Sequence, residues 1–174
     1  MALTREDTVV RSVLALLLVS AASVVAPAKA DEALIAFKVM TPETALKLAQ
    51  AALAECRKRS FQVAVAVVDR SGVLQVALRD RFAGMHTPET ARRKAWTAVS
   101  FRTDTLTMAE ETKAGKRDSG ARHIADAMMV GGGVPVEAAG SIIGGIGISG
   151  APGGEQDDAC ARAGIEAIAD TLAF

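Results

Sequence analysis

The chain has 174 residues, half of them apolar and only 3% aromatic, with 20 basic and 20 acidic side chains. That balance, with no Lys/Arg cluster interleaved with aromatics, argues against a nucleic-acid partner, because gripping phosphates calls for a basic face. The length suits one domain with a genuine core. At the N-terminus, Arg5 and Arg11 bracket a short charged segment, and residues 12–25 are almost wholly apolar or small. Pro27 and the A-x-A arrangement Ala28-Lys29-Ala30 follow, which is the order of an export signal cut after Ala30. The apolar run falls several residues short of the ~20 that cross a bilayer as a helix, which argues against an uncleaved anchor. Residues 1–30 are therefore expected to be a cleavable signal peptide, 31–40 a linker and 41–174 the domain. The mature protein is expected in the periplasm or outside the cell, without stable membrane insertion. Cleavage removes three basic and two acidic residues from 20 of each, leaving 17 and 18.

Thr41-Pro42-Glu43 starts the first helix, with a hydroxyl N-cap, proline at the first helical position and an acid near the positive end of the dipole. Ala45, Leu48, Ala49, Ala52, Leu53 and Cys56 share one face, and Arg57, Lys58 and Arg59 suit the negative end. Residues 61–68 and 73–78 read as two strands joined by the turn residues Asp69-Arg70-Ser71-Gly72. Thr87-Pro88-Glu89-Thr90 repeats the opening and starts a second helix carrying Lys94, Trp96 and Val99. Residues 103–113 read as a short helix and 115–126 as a charged surface loop. Further strands are expected at 127–130 with 134–136, and at 141–149, around the turn Glu137-Ala138-Ala139-Gly140. Residues 157–172 close the chain as an amphipathic helix. Hairpins make neighbouring strands antiparallel, so the expected fold class is α+β: one domain, with a mainly antiparallel sheet of about five strands flanked by helices.

Gly145-Ile146-Gly147-Ile148-Ser149-Gly150 matches the letters of a dinucleotide-binding turn. The helix and parallel strand which that fingerprint requires do not follow. It reads instead as a strand whose glycines let another backbone, a subunit or a flat ligand come close. Gly131-Gly132-Gly133 lacks the Gly-Lys-Ser/Thr of a phosphate loop, and Ser149 lacks a nucleophile-elbow context. The two cysteines, Cys56 and Cys160, fit either one bridge formed after export or two buried thiols on apolar helix faces; the frequency of buried free cysteine weighs toward the thiols. No C-x-x-C-H occurs, which excludes covalent c-type haem attachment. His86 lies just before the second helix, where its ring could enter a cleft as a metal ligand, while His123 falls in the charged loop. Lys94, Thr97 and Arg102, on or just after that helix, are candidates to face the same cleft and to pair with carboxylates.

Three stretches together resemble the GlcG/HbpS family of haem-binding proteins over residues 41–174. They are Val65-Ala66-Val67-Val68-Asp69 with Gly72 and Leu74, the run from Arg92 through Lys94 and Trp96 to Phe101, and Gly131-Gly132-Gly133-Val134-Pro135 leading to residues 144–150 with Gln156-Asp157. The resemblance implies an antiparallel sheet flanked by helices, homo-oligomers and noncovalent haem. It adds Thr105 to His86 as a candidate at the iron. The leading expectation is an exported haem-binding protein for storage, sensing or slow degradation, with His86 or Thr105 at the metal and Arg79 or Lys94 near the propionates. The alternative is an enzyme or accessory protein for a small carboxylate or diol, with Arg79 and Lys94 holding the carboxylate and Asp69 or Asp157 moving protons.

Overall fold

A computed structural model describes residues 35–173, so the expected signal peptide lies outside the described residues. The chain divides into Met1–Ala36 and Phe37–Phe174, and the fold below is that of the second unit. Helix α1 is Pro42–Lys58, and the hairpin strands are β1 (Ala64–Asp69) and β2 (Leu74–Arg79). Then come α2 (Thr87–Phe101), α3 (Thr105–Glu111) and a short 3₁₀ turn at Ser119–His123. Strands β3 (Gly133–Ala138) and β4 (Ser141–Ser149) precede α4 (Gly154–Glu166) and the short α5 (Ala169–Leu172). Thr41 caps α1 as expected, its hydroxyl accepting from the Thr44 amide.

The four strands form one antiparallel sheet in the order β2-β1-β4-β3. The class is α+β, with four strands in place of about five. Residues 127–130 are not a strand, because α2 takes up their backbone groups. The Arg93 guanidinium donates to the carbonyls of Asp126 and Ala127, and the Met128 amide donates to Thr97 Oγ1 at 2.8 Å. The last expected helix starts earlier, at Gly154, and breaks between Glu166 and Ala169.

Alternation along β1 sends side chains to two different layers. Val65 and Val67 join Val136, Ile146 and Ile148 in the main core, which α1 and α4 cover with Leu48, Ala49, Ala52 and Ala161. On the other face Ala64, Ala66 and Val68 meet Ala91, Ala95 and Val99 of α2. That second layer is unusually thin. Ala66 pairs with Gly147, and Gly147 with Gly133, so a row of small residues crosses three strands. A Cβ added to Gly147 would stand 2.0 Å from the Ala91 carbonyl oxygen, and one on Gly133 2.3 Å from that of Lys94. Backbone thus touches backbone. The glycines of β4 serve the first of the three uses expected for them, close approach of another backbone, here α2.

On the opposite face, Gly164 of α4 crosses Ala52 of α1 so closely that an added Cβ would lie 2.5 Å from the alanine methyl. One turn away on each helix stand Cys56 and Cys160, with Cα atoms 5.5 Å apart and a disulfide between them. This corrects the weighting toward free thiols: both residues are buried, but close helix contact brings them within bonding reach. Closing a loop across 104 residues is worth about 4–5 kcal/mol in the chain-entropy model.

Gly147→Ala should cost about 2–3 kcal/mol, since the new methyl meets backbone that has no room to yield. Gly120→Ala, where nothing lies within 4 Å, should stay within about 0.5 kcal/mol of wild type. Urea unfolding of both proteins checks the contrast, and equal midpoints would refute the tight contact.

Candidate functional site

The candidate residues separate into an exposed loop ahead of α2 and a buried network behind it. The loop begins where β2 ends. Asp80 turns inward and is buried, and the Arg57 side chain grips its carboxylate with Nε donating to Oδ1 at 2.9 Å. The Arg79 guanidinium donates to the Ala83 carbonyl, and Thr87 Oγ1 donates to the Gly84 carbonyl at 2.7 Å. Ala83 is buried by these ties. The side chains between the anchors have nowhere inward to go, so Phe82 is 79% exposed and Met85 93% exposed.

His86, also exposed, folds back over Gly84, where a Cβ would come within 2.8 Å of the imidazole Cε1. The Arg81 guanidinium sits 5.8 Å from the centre of the Phe82 ring, within range of a cation–π contact. The loop therefore offers an imidazole, a thioether, an aromatic face and the guanidiniums of Arg79 and Arg81 on one short, anchored segment. An imidazole or thioether can ligate haem iron, apolar side chains can cover a porphyrin, and guanidiniums can pair with its propionates. The donor set fits that group.

Lys94 and Thr105 have a different setting. Lys94 is 2% exposed, and its ammonium donates to the Ile148 carbonyl at 2.9 Å and to Asp157 Oδ2 at 2.8 Å. Asp157 also accepts from the Ala151 amide at 3.0 Å. Burial pushes the Lys94 ammonium pKa down and the Asp157 carboxyl pKa up, while their mutual attraction pulls each back. Thr105 is fully buried, its hydroxyl donating to the Val130 carbonyl at 2.7 Å and accepting from the Gly133 amide at 2.8 Å. Thr105 holds the glycine-rich approach to β3 in place, while Lys94 ties the end of β4 to the start of α4. Glycine at 132 is required there: its φ is +114°, and a Cβ would press on Asp157 and on the Ile148 carbonyl.

His86 precedes α2 and Thr105 follows it, so they stand at opposite ends of a 15-residue helix about 22 Å long. Arg102 also lies at the far end, and Thr97 is buried with its hydroxyl donating to the Arg93 carbonyl at 2.7 Å. Only Arg79 of the expected cations lies on the His86 loop. Asp69 serves its own turn, accepting from the amides of Ser71 and Val73 at 2.8 and 2.9 Å. Sequence reading did not single out Met85, Arg81 or the Asp80–Arg57 anchor. The available signal was two large apolar residues in Arg81-Phe82-Ala83-Gly84-Met85-His86, a segment with no periodicity that would bury them.

Residues 40–166 match the family model described as haem degrading protein HbpS-like. A double mutant of HbpS from Streptomyces reticuli is 38% identical, with TM-score 0.74 over 82% of this chain and 97% of that one. The structure of a PduOC:heme complex is 31% identical, with TM-score 0.71 over 75% and 95%. The corrinoid adenosyltransferase PduO of Salmonella typhimurium is 34% identical over 124 residues, which is 70% of this chain. The chain spans little more than a third, 37%, of that curated relative's length.

Lys94→Met should cost about 3–5 kcal/mol, because it strands the Asp157 carboxylate in the interior. Adding Asp157→Asn should return a substantial part of the loss. Urea unfolding of the two single variants and the double variant measures this coupling; strictly additive losses would show that the pair does not act as a unit.

Proposed function

The chain belongs to the HbpS-like family of haem degrading proteins, and we propose that it is an exported protein that binds haem noncovalently through the loop carrying His86. The observation that carries this reading is the outward display of Phe82, Met85 and His86 on a loop pinned at Asp80, Ala83 and Gly84. Large apolar side chains held in water by a rigid support are costly unless something covers them. Of the two candidates at the iron, His86 is preferred, because the Thr105 hydroxyl is buried and already bonded to Val130 and Gly133.

Arg79 and Arg81 are the cations placed to meet propionates, and Lys94 acts from the interior by holding β4 and α4 together. Bound haem supplies a redox-active iron, while the chain supplies the ligating imidazole, the apolar cover and the charges. The similar HbpS and PduOC:heme structures support the ligand class. Storage, sensing or slow degradation of haem are the roles this binding would serve. A porphyrin edge or a second copy of the chain would cover Phe82 and Met85, in keeping with a homo-oligomer.

Export to the periplasm or beyond is supported by the signal-like residues 1–30 and by the Cys56–Cys160 bond, which suits an oxidising compartment. Protein recovered from that compartment should begin at Asp31 and show no titratable thiol. An intact Met1 terminus with two free thiols would count against export.

Titrating the purified protein with hemin, beside an unrelated exported protein, should give a saturable, stoichiometric Soret shift. His86→Ala should move or abolish the band. An unchanged spectrum removes His86 from the iron, and no specific shift in the wild type sinks the haem reading.

A further inference from the structure

A second cleft lies at the far end of α2 from His86. Three chain segments meet there for a topological reason: β1 and β4 are antiparallel neighbours, so the end of β1 and the start of β4 share one end of the sheet, where α2 also stops. The cleft has a volume of about 630 Å³ and a mostly polar lining. Arg70 and Gly72 come from the β1–β2 turn, Trp96 and Arg102 from the end of α2, and Glu137 and Ser141 from the β3–β4 hairpin.

The cationic groups here are largely uncommitted. Among the described residues the Arg102 side chain makes no hydrogen bond or ion pair, and the contact found for Arg70 is with the Phe37 ring, 3.6 Å away. The indole of Trp96 is fixed by the turn above it: Gly72 has φ +81°, and a Cβ there would strike the indole Cδ1 at 2.6 Å. The Trp96 Nε1–H meets no acceptor among the described residues. Arg102 itself is left-handed, with φ 55°, at the position after α2 that glycine fills without strain. Arginine there costs stability relative to glycine.

We propose that this cleft binds a small carboxylate bearing two or more carboxyl groups, with Arg70 and Arg102 as its anion clamps and the Trp96 indole against its carbon skeleton. Guanidinium forks match carboxylates in a planar, bidentate way. Phosphate is the less suitable anion, because the helix end at this cleft is a C-terminus, which offers carbonyls and not the amide donors that cradle phosphate. The polar lining argues against a porphyrin. Glu137 is the one acid on the wall, so the lining keeps a net positive charge, and two guanidiniums from separate segments can each take one carboxylate of a ligand that carries two. This site stands apart from the haem loop and does not depend on it.

Trp96 is the only tryptophan and the chain has no tyrosine, so intrinsic fluorescence reports on this cleft without competing signals. Titration of the haem-free full chain with citrate or tartrate should give a saturable change in Trp96 emission. Arg70→Ala and Arg102→Ala should each weaken it at least tenfold, and His86→Ala should leave it unchanged. Arg102→Gly should weaken the response as much as Arg102→Ala does while raising or maintaining the thermal midpoint, which separates loss of a clamp from loss of fold. Inorganic phosphate should produce a much weaker change. The proposal is overturned by no response to either carboxylate, by a response that survives loss of both arginines, by phosphate binding as tightly, or by loss of the response in His86→Ala.

Discussion

The close contact between α2 and the sheet is the constraint on which the rest of the molecule depends. Most helices stand off a sheet by the width of two side chains, but here the spacers are alanines and glycines. A helix set so low lets Lys94 reach the Ile148 carbonyl near the end of β4 and Asp157 at the start of α4. One lysine thereby ties together the helix on one face, the last strand, and a helix that covers the other face. The same low position puts the two ends of α2 at opposite ends of the sheet. Each end then meets a different turn or loop and forms a different chemical surface.

Local chemistry made much of this readable in advance. The Thr-Pro-Glu openings announced α1 and α2 because a cap and its first turn involve only neighbouring residues. The two hairpins followed from turn residues between β-branched runs, and the glycines of β4 signalled close approach. What could not be read was the destination of side chains that depend on distant partners. Lys94 looks like any solvated lysine until β4 and Asp157 are placed beside it. Residues 127–130 have strand-like composition, yet their backbone groups are claimed by Arg93 and Thr97 from another element. The cysteines are buried in either redox state, so burial alone could not decide between them; the Ala52–Gly164 crossing does.

The His86 loop combines two properties that usually oppose each other. Its backbone is restrained by an ion pair from the buried Asp80 to the partly exposed Arg57 and by two hydrogen bonds to carbonyls, while its largest side chains face water. Restraint lowers the ordering entropy lost when a ligand or subunit docks, so the apolar area covered counts more nearly in full toward affinity. A floppy loop of the same composition would lose much of that gain. The sequence identified His86 and Arg79 as chemically suited residues, but the anchoring that makes their placement useful resides in Asp80, Arg57 and Thr87.

The Cys56–Cys160 bond does more than lower the entropy of the unfolded chain. It closes a covalent ring that contains all four strands, α2, α3 and each of the exposed loops between them. A protease cutting the charged segment near Lys113 or the loop at Phe82 therefore opens the ring without releasing a fragment. The nicked halves stay joined through α1 and α4, and the strands can re-form their ladder without a search through solution. That topology converts a cut from a loss of the molecule into a local repairable opening of its surface.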